Sequence, residues 1–409
     1  MAATSYPRNK LKILLLEGIN PASAELFRIA GYENITELKH APTESELKKL
    51  IKDAHVLGIR SKTQLTEGVF ENADKLIGLA AFCIGTNQID LKKATEKGIA
   101  VFNSPFSNTR SVAELVIALS IILLRRIYEK SVAAHAGEWL KDHKGAHEVR
   151  GKTLGIIGYG HIGSQVSVLA EGLGMNVIFY DVETKLSLGN ARPVNDLNEL
   201  LKQSDVITLH VPGTPLTKNM IDKKRLKLLK KSAVLLNLSR GDVLDVNDAA
   251  DAIRSGTLGG LAVDVFPEEP AMKGEKFKSV LQGLPNVILT PHIGGSTEEA
   301  QVNIAADATS KLINFIETGS SNGSLSIPPL SLPVQQDAHR LLHIHKNVPG
   351  VLSEITTILS HLNVNILGQY LKTNEQVGYV VLDIDKKTSA KALEEMKKVK
   401  HTIKVRSLY

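Results

Sequence analysis

The chain has 409 residues, enough for two or three domains each able to bury a core, and its 43% apolar and 22% charged composition excludes a disordered or fibrous polymer. Its formal charge of +6, from 49 basic against 43 acidic residues, comes without a basic tail or a Lys/Arg-rich run, so no nucleic acid partner is expected and a small anionic ligand explains the excess equally well. Cys83 is the single cysteine and excludes an intrachain disulfide, the first residues lack signal-peptide features, and the most apolar run, 115–124, is too short for a bilayer, which together predict a cytoplasmic protein without membrane contact.

Over 11–105, short apolar runs at 13–16, 56–59, 76–81 and 99–102 alternate with polar helical segments, which predicts a parallel α/β layer. It carries no phosphate loop. From Ser111 an amphipathic and then apolar helix leads to Leu154-Gly155-Ile156-Ile157-Gly158-Tyr159-Gly160-His161-Ile162-Gly163, and Asp181 follows after a further apolar run. Strand, glycine turn, helix, strand and acid in this order predict a dinucleotide site. Gly158 permits the turn, Gly160 lets a pyrophosphate approach and Gly163 allows close packing, while the helix N-terminus, with His161 and Ile162, faces the phosphates. Asp181 would hold the ribose hydroxyls and repel a 2′-phosphate, and Val182 and Glu183 offer no cation for one, so the expected cofactor is NAD.

Further runs at 206–211, 233–238, 260–265 and 287–289 complete a doubly wound sheet, and a helix over 297–317 returns to the first domain. The Gly-, Ser- and Pro-rich stretch 318–336 reads as a linker. Beyond it, strand, helix, two strands, helix and strand predict a split β-α-β, ferredoxin-like module. The expected fold class is therefore α/β: a Rossmann-type nucleotide domain (106–295) inserted in a flavodoxin-like substrate domain (1–105 and 296–328), followed by an α+β domain (337–409).

Three blocks each follow a predicted strand of the nucleotide sheet: Asn237-Leu238-Ser239-Arg240-Gly241, Asp264-Val265-Phe266-Pro267-Glu268-Glu269-Pro270 and Thr290-Pro291-His292-Ile293-Gly294-Gly295. Together with the glycine turn they resemble the D-specific 2-hydroxyacid dehydrogenases over residues 1–330, and His343-Ile344-His345-Lys346-Asn347-Val348-Pro349-Gly350 makes the tail resemble an ACT domain. Removing a hydride from a secondary alcohol needs a base, a cation for carboxylate and carbonyl, and a positioned nicotinamide. The resemblance assigns His292 as the base, Glu269 as its orienting partner favouring the protonated ring, and Arg240 as the carboxylate-binding cation. Asp264 resembles the carboxylate beside the nicotinamide amide, with a helix N-cap or turn acid as the alternative. His210 and Pro212 fall in the cofactor loop, where His210 has a structural role as its alternative.

On the first domain, Arg60 and Ser61 follow a strand, and Ile84-Gly85 resembles a loop whose N–H groups grip a carboxylate. Asn108 resembles a further substrate contact or caps the long helix. With the tail included, the resemblance implies oxidation of D-3-phosphoglycerate to 3-phosphohydroxypyruvate with NAD, the first step of L-serine biosynthesis. Its phosphate would go to Arg60 first, with Lys62, Lys39 and Lys141 as lesser candidates. It also implies L-serine as an inhibitory effector bound by His345, Asn347 and Asn365 between paired modules, in a homo-oligomer expected to be a tetramer. Two alternatives stand: another D-2-hydroxyacid such as 2-hydroxyglutarate as substrate, or a non-enzymatic NAD-sensing regulator. No metal site is expected, and Trp139 reads either as core or as a cleft or subunit contact.

Overall fold

The apolar runs of the first domain become a five-stranded parallel sheet in a computed structural model that describes residues 7–270, 274–334, 338–386 and 389–408. Strands β1 (Ile13–Leu15), β2 (Ile35–Glu37), β3 (Val56–Ile59), β4 (Gly78–Ala81) and β5 (Ala100–Asn103) lie in the order β2-β1-β3-β4-β5. Both faces of the central strands are covered, so β1, β3 and β4 are buried at every position and read as continuous apolar runs rather than alternations. Strand β2 was not anticipated, because a three-residue edge strand that is half-buried or exposed carries no periodic signal. One face packs on Phe27, Leu312 and Phe315, the other on Leu47, Ile51, Val69 and Phe70.

The chain divides into two compact units, Met1–Ser107 with Gln301–Tyr409, and Asn108–Ala300. In the second, strands β6 (Thr153–Ile157), β7 (Asn176–Tyr180), β8 (Arg192–Pro193), β9 (Val206–Leu209), β10 (Val234–Asn237), β11 (Gly260–Val263) and β12 (Val287–Leu289) form one parallel sheet in the order β12-β11-β10-β9-β6-β7-β8. The winding reverses between β6 and β9, the switch point at which such sheets bind ligands. The apolar run 115–124 lies in the helix Thr109–Arg125, which buries Val116, Leu119 and Leu123 against this sheet. Among the described residues, no helix is long and apolar enough to cross a membrane.

The tail forms β13 (His339–Lys346), β14 (Ile366–Thr373), β15 (Val377–Ile384) and β16 (Thr402–Leu408), an antiparallel sheet in the order β14-β15-β13-β16. One face carries the helices Val351–His361 and Ser389–Met396 over Leu341, Val380 and Leu382. The other face, with Leu342, Ile344, Tyr379 and Val381, packs into the same core as Phe102, Phe315 and Ile327. The module therefore does not hang from a tether. The stretch expected as a linker is tied down instead: Ser326 Oγ donates to Ile99 O at 2.7 Å and accepts from Val101 N at 2.9 Å, Ser321 Oγ donates to Pro328 O at 2.7 Å, and Tyr379 Oη donates to Gly319 O at 2.6 Å. Residues 335–337, where the expected linker meets the expected third domain, lie outside the described residues.

At this junction Arg340 is fully buried, holding Asp383 through Nε at 2.6 Å and Nη2 at 2.8 Å. Its Nη1 spans back to Thr318 O at 2.9 Å and Pro333 O at 3.0 Å.

Candidate active site

The glycine turn after β6 is dictated by space as much as by backbone angle. Gly158 has φ +93°, and a Cβ there would stand 2.4 Å from His210 O; one on Gly163 would stand 2.3 Å from Gly158 O. A side chain at either position would push the helix His161–Gly172 off the sheet. At Gly160, by contrast, nothing lies within 4 Å of a Cβ, and this residue begins a helix that no side chain caps. That opening fits a dinucleotide pyrophosphate. Asp181 Oδ2 accepts from Tyr159 N at 2.8 Å and Oδ1 from Glu183 N at 3.0 Å, so the acid after β7 is tied to the turn and keeps lone pairs on both oxygens.

His210 Nε2 lies 2.9 Å from Thr208 Oγ1, while its Nδ1 is closed off from solvent without a partner. Burial pushes its pKa down to about 3, so the ring is neutral at physiological pH and unsuited to act as a second base. The orphaned nitrogen fits a polar ligand edge. Pro212, two residues on, is exposed, and its carbonyl accepts from Thr217 Oγ1 at 2.6 Å.

His292, Glu269, Asp264 and Arg240 all come from the same carboxyl edge, beyond β12, β11 and β10. His292 Nδ1 and Glu269 Oε2 are 2.9 Å apart, and Glu269 Oε1 accepts from Phe266 N at 3.1 Å. A carboxylate only accepts, so Nδ1 carries the proton and Nε2 presents its lone pair away from Glu269. His292 sits at φ +54°, a conformation that costs a non-glycine residue roughly 1 kcal/mol or more. Asp264 holds the loop there: buried, it accepts from Thr290 Oγ1 at 2.5 Å and from the N–H groups of Ile293 and Gly294, each at 2.8 Å. These bonds go to the loop after β12 and not to a helix N-terminus.

Arg240 is half-buried, donates from Nη1 to Ser239 O at 2.7 Å, and makes no ion pair among the described residues. A Cβ on Gly241 would stand 2.1 Å from the carbonyl carbon of Phe266, which brings the Arg240 turn against the Glu269 turn. Asn108 precedes the long helix without capping it through its side chain, and its Oδ1 is buried without a partner. Its amide lies where a Cβ on Gly295 would be, 2.2 Å away. Trp139 and Lys141 are exposed.

In the other unit, the Arg60 loop is shaped by a residue the sequence reading passed over. Glu17, at φ +62° after β1, accepts at Oε1 from Arg60 N at 3.0 Å and Thr63 N at 2.9 Å, and at Oε2 from Lys62 N at 3.0 Å. Gln88 Nε2 then joins two loops, donating to Arg60 O at 2.8 Å and Gly85 O at 3.2 Å. Asn103 Nδ2 takes Ile84 O at 2.7 Å. The N–H groups of Ile84 and Gly85 donate to no described residue, and nothing lies within 4 Å of a Cβ on Gly85. The Arg60 guanidinium makes no ion pair among the described residues. Ser61, Lys62 and Lys39 are exposed. An acid directly after the first strand was the signal that could have found Glu17; Gln88 had none.

In the tail module, His345 Nδ1 donates to Lys346 O at 2.9 Å, leaving Nε2 buried without a partner. A Cβ on Gly378 would stand 2.3 Å from its ring, so glycine is needed there. Asn347 Nδ2 donates to Asn374 O at 2.7 Å. Asn365 stands at the opposite end of the sheet, because β14 begins beside Ile384 whereas His345 pairs with Gly378. An eight-residue strand separates them by about 23 Å, so a single module does not bring all three together. Among the described residues, no group of three or more His, Cys, Asp or Glu could hold a metal ion.

Residues 117–294 match the family described as D-isomer specific 2-hydroxyacid dehydrogenase, NAD binding domain, and residues 341–404 match the AHAS small subunit-like ACT domain. The chain is 51% identical over 411 residues to the D-3-phosphoglycerate dehydrogenase of Escherichia coli strain K12, covering 100% of both chains. It is 49% identical over 405 residues to that of Haemophilus influenzae, covering 99% of each. Among solved structures, the D-lactate dehydrogenase of Aquifex aeolicus complexed with NAD and lactic acid aligns with a TM-score of 0.65 at 28% identity, covering 78% of this chain and 100% of that one.

Proposed function

This chain belongs to the D-isomer specific 2-hydroxyacid dehydrogenases, and from that membership we propose that it oxidises D-3-phosphoglycerate to 3-phosphohydroxypyruvate with NAD, the first step of L-serine biosynthesis. The observation that carries the chemistry is the 2.9 Å pair of His292 Nδ1 and Glu269 Oε2, which leaves Nε2 as a base. Nε2 takes the proton of the substrate hydroxyl, and Glu269 faces the charge that then develops on the ring. Arg240, with its fork of donors uncommitted to any described carboxylate, binds the substrate carboxylate and polarises the forming carbonyl. NAD, when bound, supplies the hydride acceptor. Gly158, Gly160, His161, Ile162 and Gly163 would hold its pyrophosphate, Asp181 its ribose, and His210, Pro212 and Asp264 would line its nicotinamide end.

Cofactor choice gives one test. Asp181→Ala removes the ribose acceptor and the charge that repels a 2′-phosphate, so KM for NAD rises and the NAD/NADP preference narrows in steady-state assays. A preference that stays put would move the ribose elsewhere.

For the substrate, Arg60 supplies the cation for the phosphate, with the free N–H groups of Ile84 and Gly85 and the Ser61 hydroxyl beside it in the same unit, while Asn108 offers its orphaned oxygen to a substrate hydroxyl. Arg60→Ala should therefore raise KM for D-3-phosphoglycerate more than for an unphosphorylated D-2-hydroxyacid. Equal losses on both would contradict the phosphate assignment and with it the choice of substrate.

The tail is read as the sensor of L-serine. His345 Nε2, buried and without a partner among the described residues, suits an effector ammonium, and Asn347 follows two positions on. Asn365, at the other end of the module, would reach such a site only from a second copy, which supports a homo-oligomer, taken to be a tetramer. The exposed apolar residues Tyr128, Val132, Trp139 and Leu140 support self-association as well. A cytoplasmic setting goes with this biosynthetic role. Asn347→Ala should abolish serine inhibition and leave uninhibited turnover nearly intact; full inhibition in that variant would refute the effector site.

A further inference from the structure

A cavity of 350 Å³ opens where the outer strand of the tail module meets the first sheet, and two of the cations that line it, Lys404 and Arg406, have no counter-ion among the described residues. Lys404 and Arg406 occupy alternate positions on β16 and so project from one face. Lys404 Nζ donates to Leu76 O, and Arg406 Nη2 donates to Phe315 O at 2.7 Å with its guanidinium 4.9 Å above the Phe315 ring. Neither forms an ion pair with a described carboxylate. Each of these contacts spends one donor, of three on an ammonium and five on a guanidinium. The walls beside them are apolar: Ile77, Phe315, Leu342, Ile344 and the Tyr379 ring.

Two like charges in an apolar pocket repel each other and lose hydration, a costly arrangement when nothing neutralises it. Burial, with Arg406 and Lys97 adding to it, pushes Lys404 down to about 8. The other charges facing this group do not cancel it: Asp74 is paired with Lys97 at 3.0 Å, Lys75 with Asp53 at 2.5 Å, and His55 and Lys75 line the rim. Burial holds the Tyr379 hydroxyl in its neutral form.

We propose that this cavity binds a small amphipathic anion, its carboxylate or phosphate head on Lys404 and Arg406 and its apolar body against Phe315, Leu342 and Ile344. The volume suits about ten to fifteen heavy atoms. The walls come half from the first domain and half from the tail module, so the ligand ties one to the other. The site is distinct from the dehydrogenase residues and does not depend on their assignment.

The test is calorimetric titration of the full-length protein, saturated with NADH so that the nucleotide edge is filled, with three probes: octanoate, inorganic phosphate and 1-octanol. Octanoate should bind once per chain, with phosphate and octanol at least tenfold weaker, because each supplies only half of the recognition. Arg406→Met and Lys404→Met, which keep the apolar stems, should each weaken octanoate by about tenfold or more, as expected for a lost charge-assisted contact. Without any variant, octanoate affinity should fall as pH is raised from 7 to 9. The bound anion favours protonated Lys404, so binding is strongest below its pKa and is lost above it.

Any one of three results would overturn the proposal: no octanoate binding at millimolar concentration, unchanged binding in a variant that keeps the parental circular dichroism, or octanol binding as tightly as octanoate. Affinity that stays flat with pH would remove Lys404 from the site.

Discussion

His292→Ala should lower kcat by about two to four orders of magnitude while NAD affinity stays near that of the parent, because the base proposed to take the hydroxyl proton is gone and the glycine turn is untouched. The position carries a complication that the fold makes plain. His292 sits at φ +54°, where alanine is strained, so part of any loss could come from a relaxed loop. His292→Asn separates the two effects, since asparagine tolerates this region and cannot serve as the base. Both variants should fall by a similar factor in kcat, measured alongside NADH binding by fluorescence. Near-normal turnover in either folded variant would remove His292 from the chemistry. Glu269→Gln should cost less, because an amide oxygen can still accept from Nδ1 but no longer opposes the ring's charge.

Arg340→Met should cost about 3–5 kcal/mol of unfolding free energy, as expected when a buried ion pair loses one partner. The guanidinium is fully buried, and its removal strands the Asp383 carboxylate in the same core, at 8% exposure, while freeing the carbonyls of Thr318 and Pro333. Urea unfolding checks this directly. The double variant Arg340→Met/Asp383→Leu should be less destabilised than the single, since no unpaired charge remains. A loss below about 1 kcal/mol in the single variant would mean that the pair contributes little beyond packing. Truncation after Gly319 is a poor substitute for such tests, because it would strip the cover from Leu312, Phe315 and Ile316.

The glycine turn and Asp181 were legible because both depend on short-range spacing: a φ that only glycine enters easily, a carbonyl 2.4 Å from any added Cβ, an acid at the end of the next strand. The same holds for β1, β3 and β4, whose burial on both faces writes itself as uninterrupted apolar runs. What stayed hidden depends on partners far apart in the chain. Ser321 and Ser326 look like linker residues by composition, yet their hydroxyls bond backbone groups, and for Ser326 these lie more than 200 positions away. Gln88 carries no signal in the sequence, because its role is to join the Arg60 and Gly85 loops. His292 betrayed nothing of its positive φ, because the loop is fixed by Asp264, nearly thirty residues earlier. The three residues proposed for the effector could be named from a resemblance, but the sheet register separates Asn365 from His345, and only two modules together would unite them.

The measurement that tests the central claim most directly is steady-state oxidation of D-3-phosphoglycerate with NAD by the purified full-length protein, set beside D-2-hydroxyglutarate, D-lactate and other D-2-hydroxyacids. The account predicts the highest kcat/KM for D-3-phosphoglycerate, with Arg60→Ala erasing most of its advantage. A higher kcat/KM for an unphosphorylated acid, or no turnover of any of them, would contradict it.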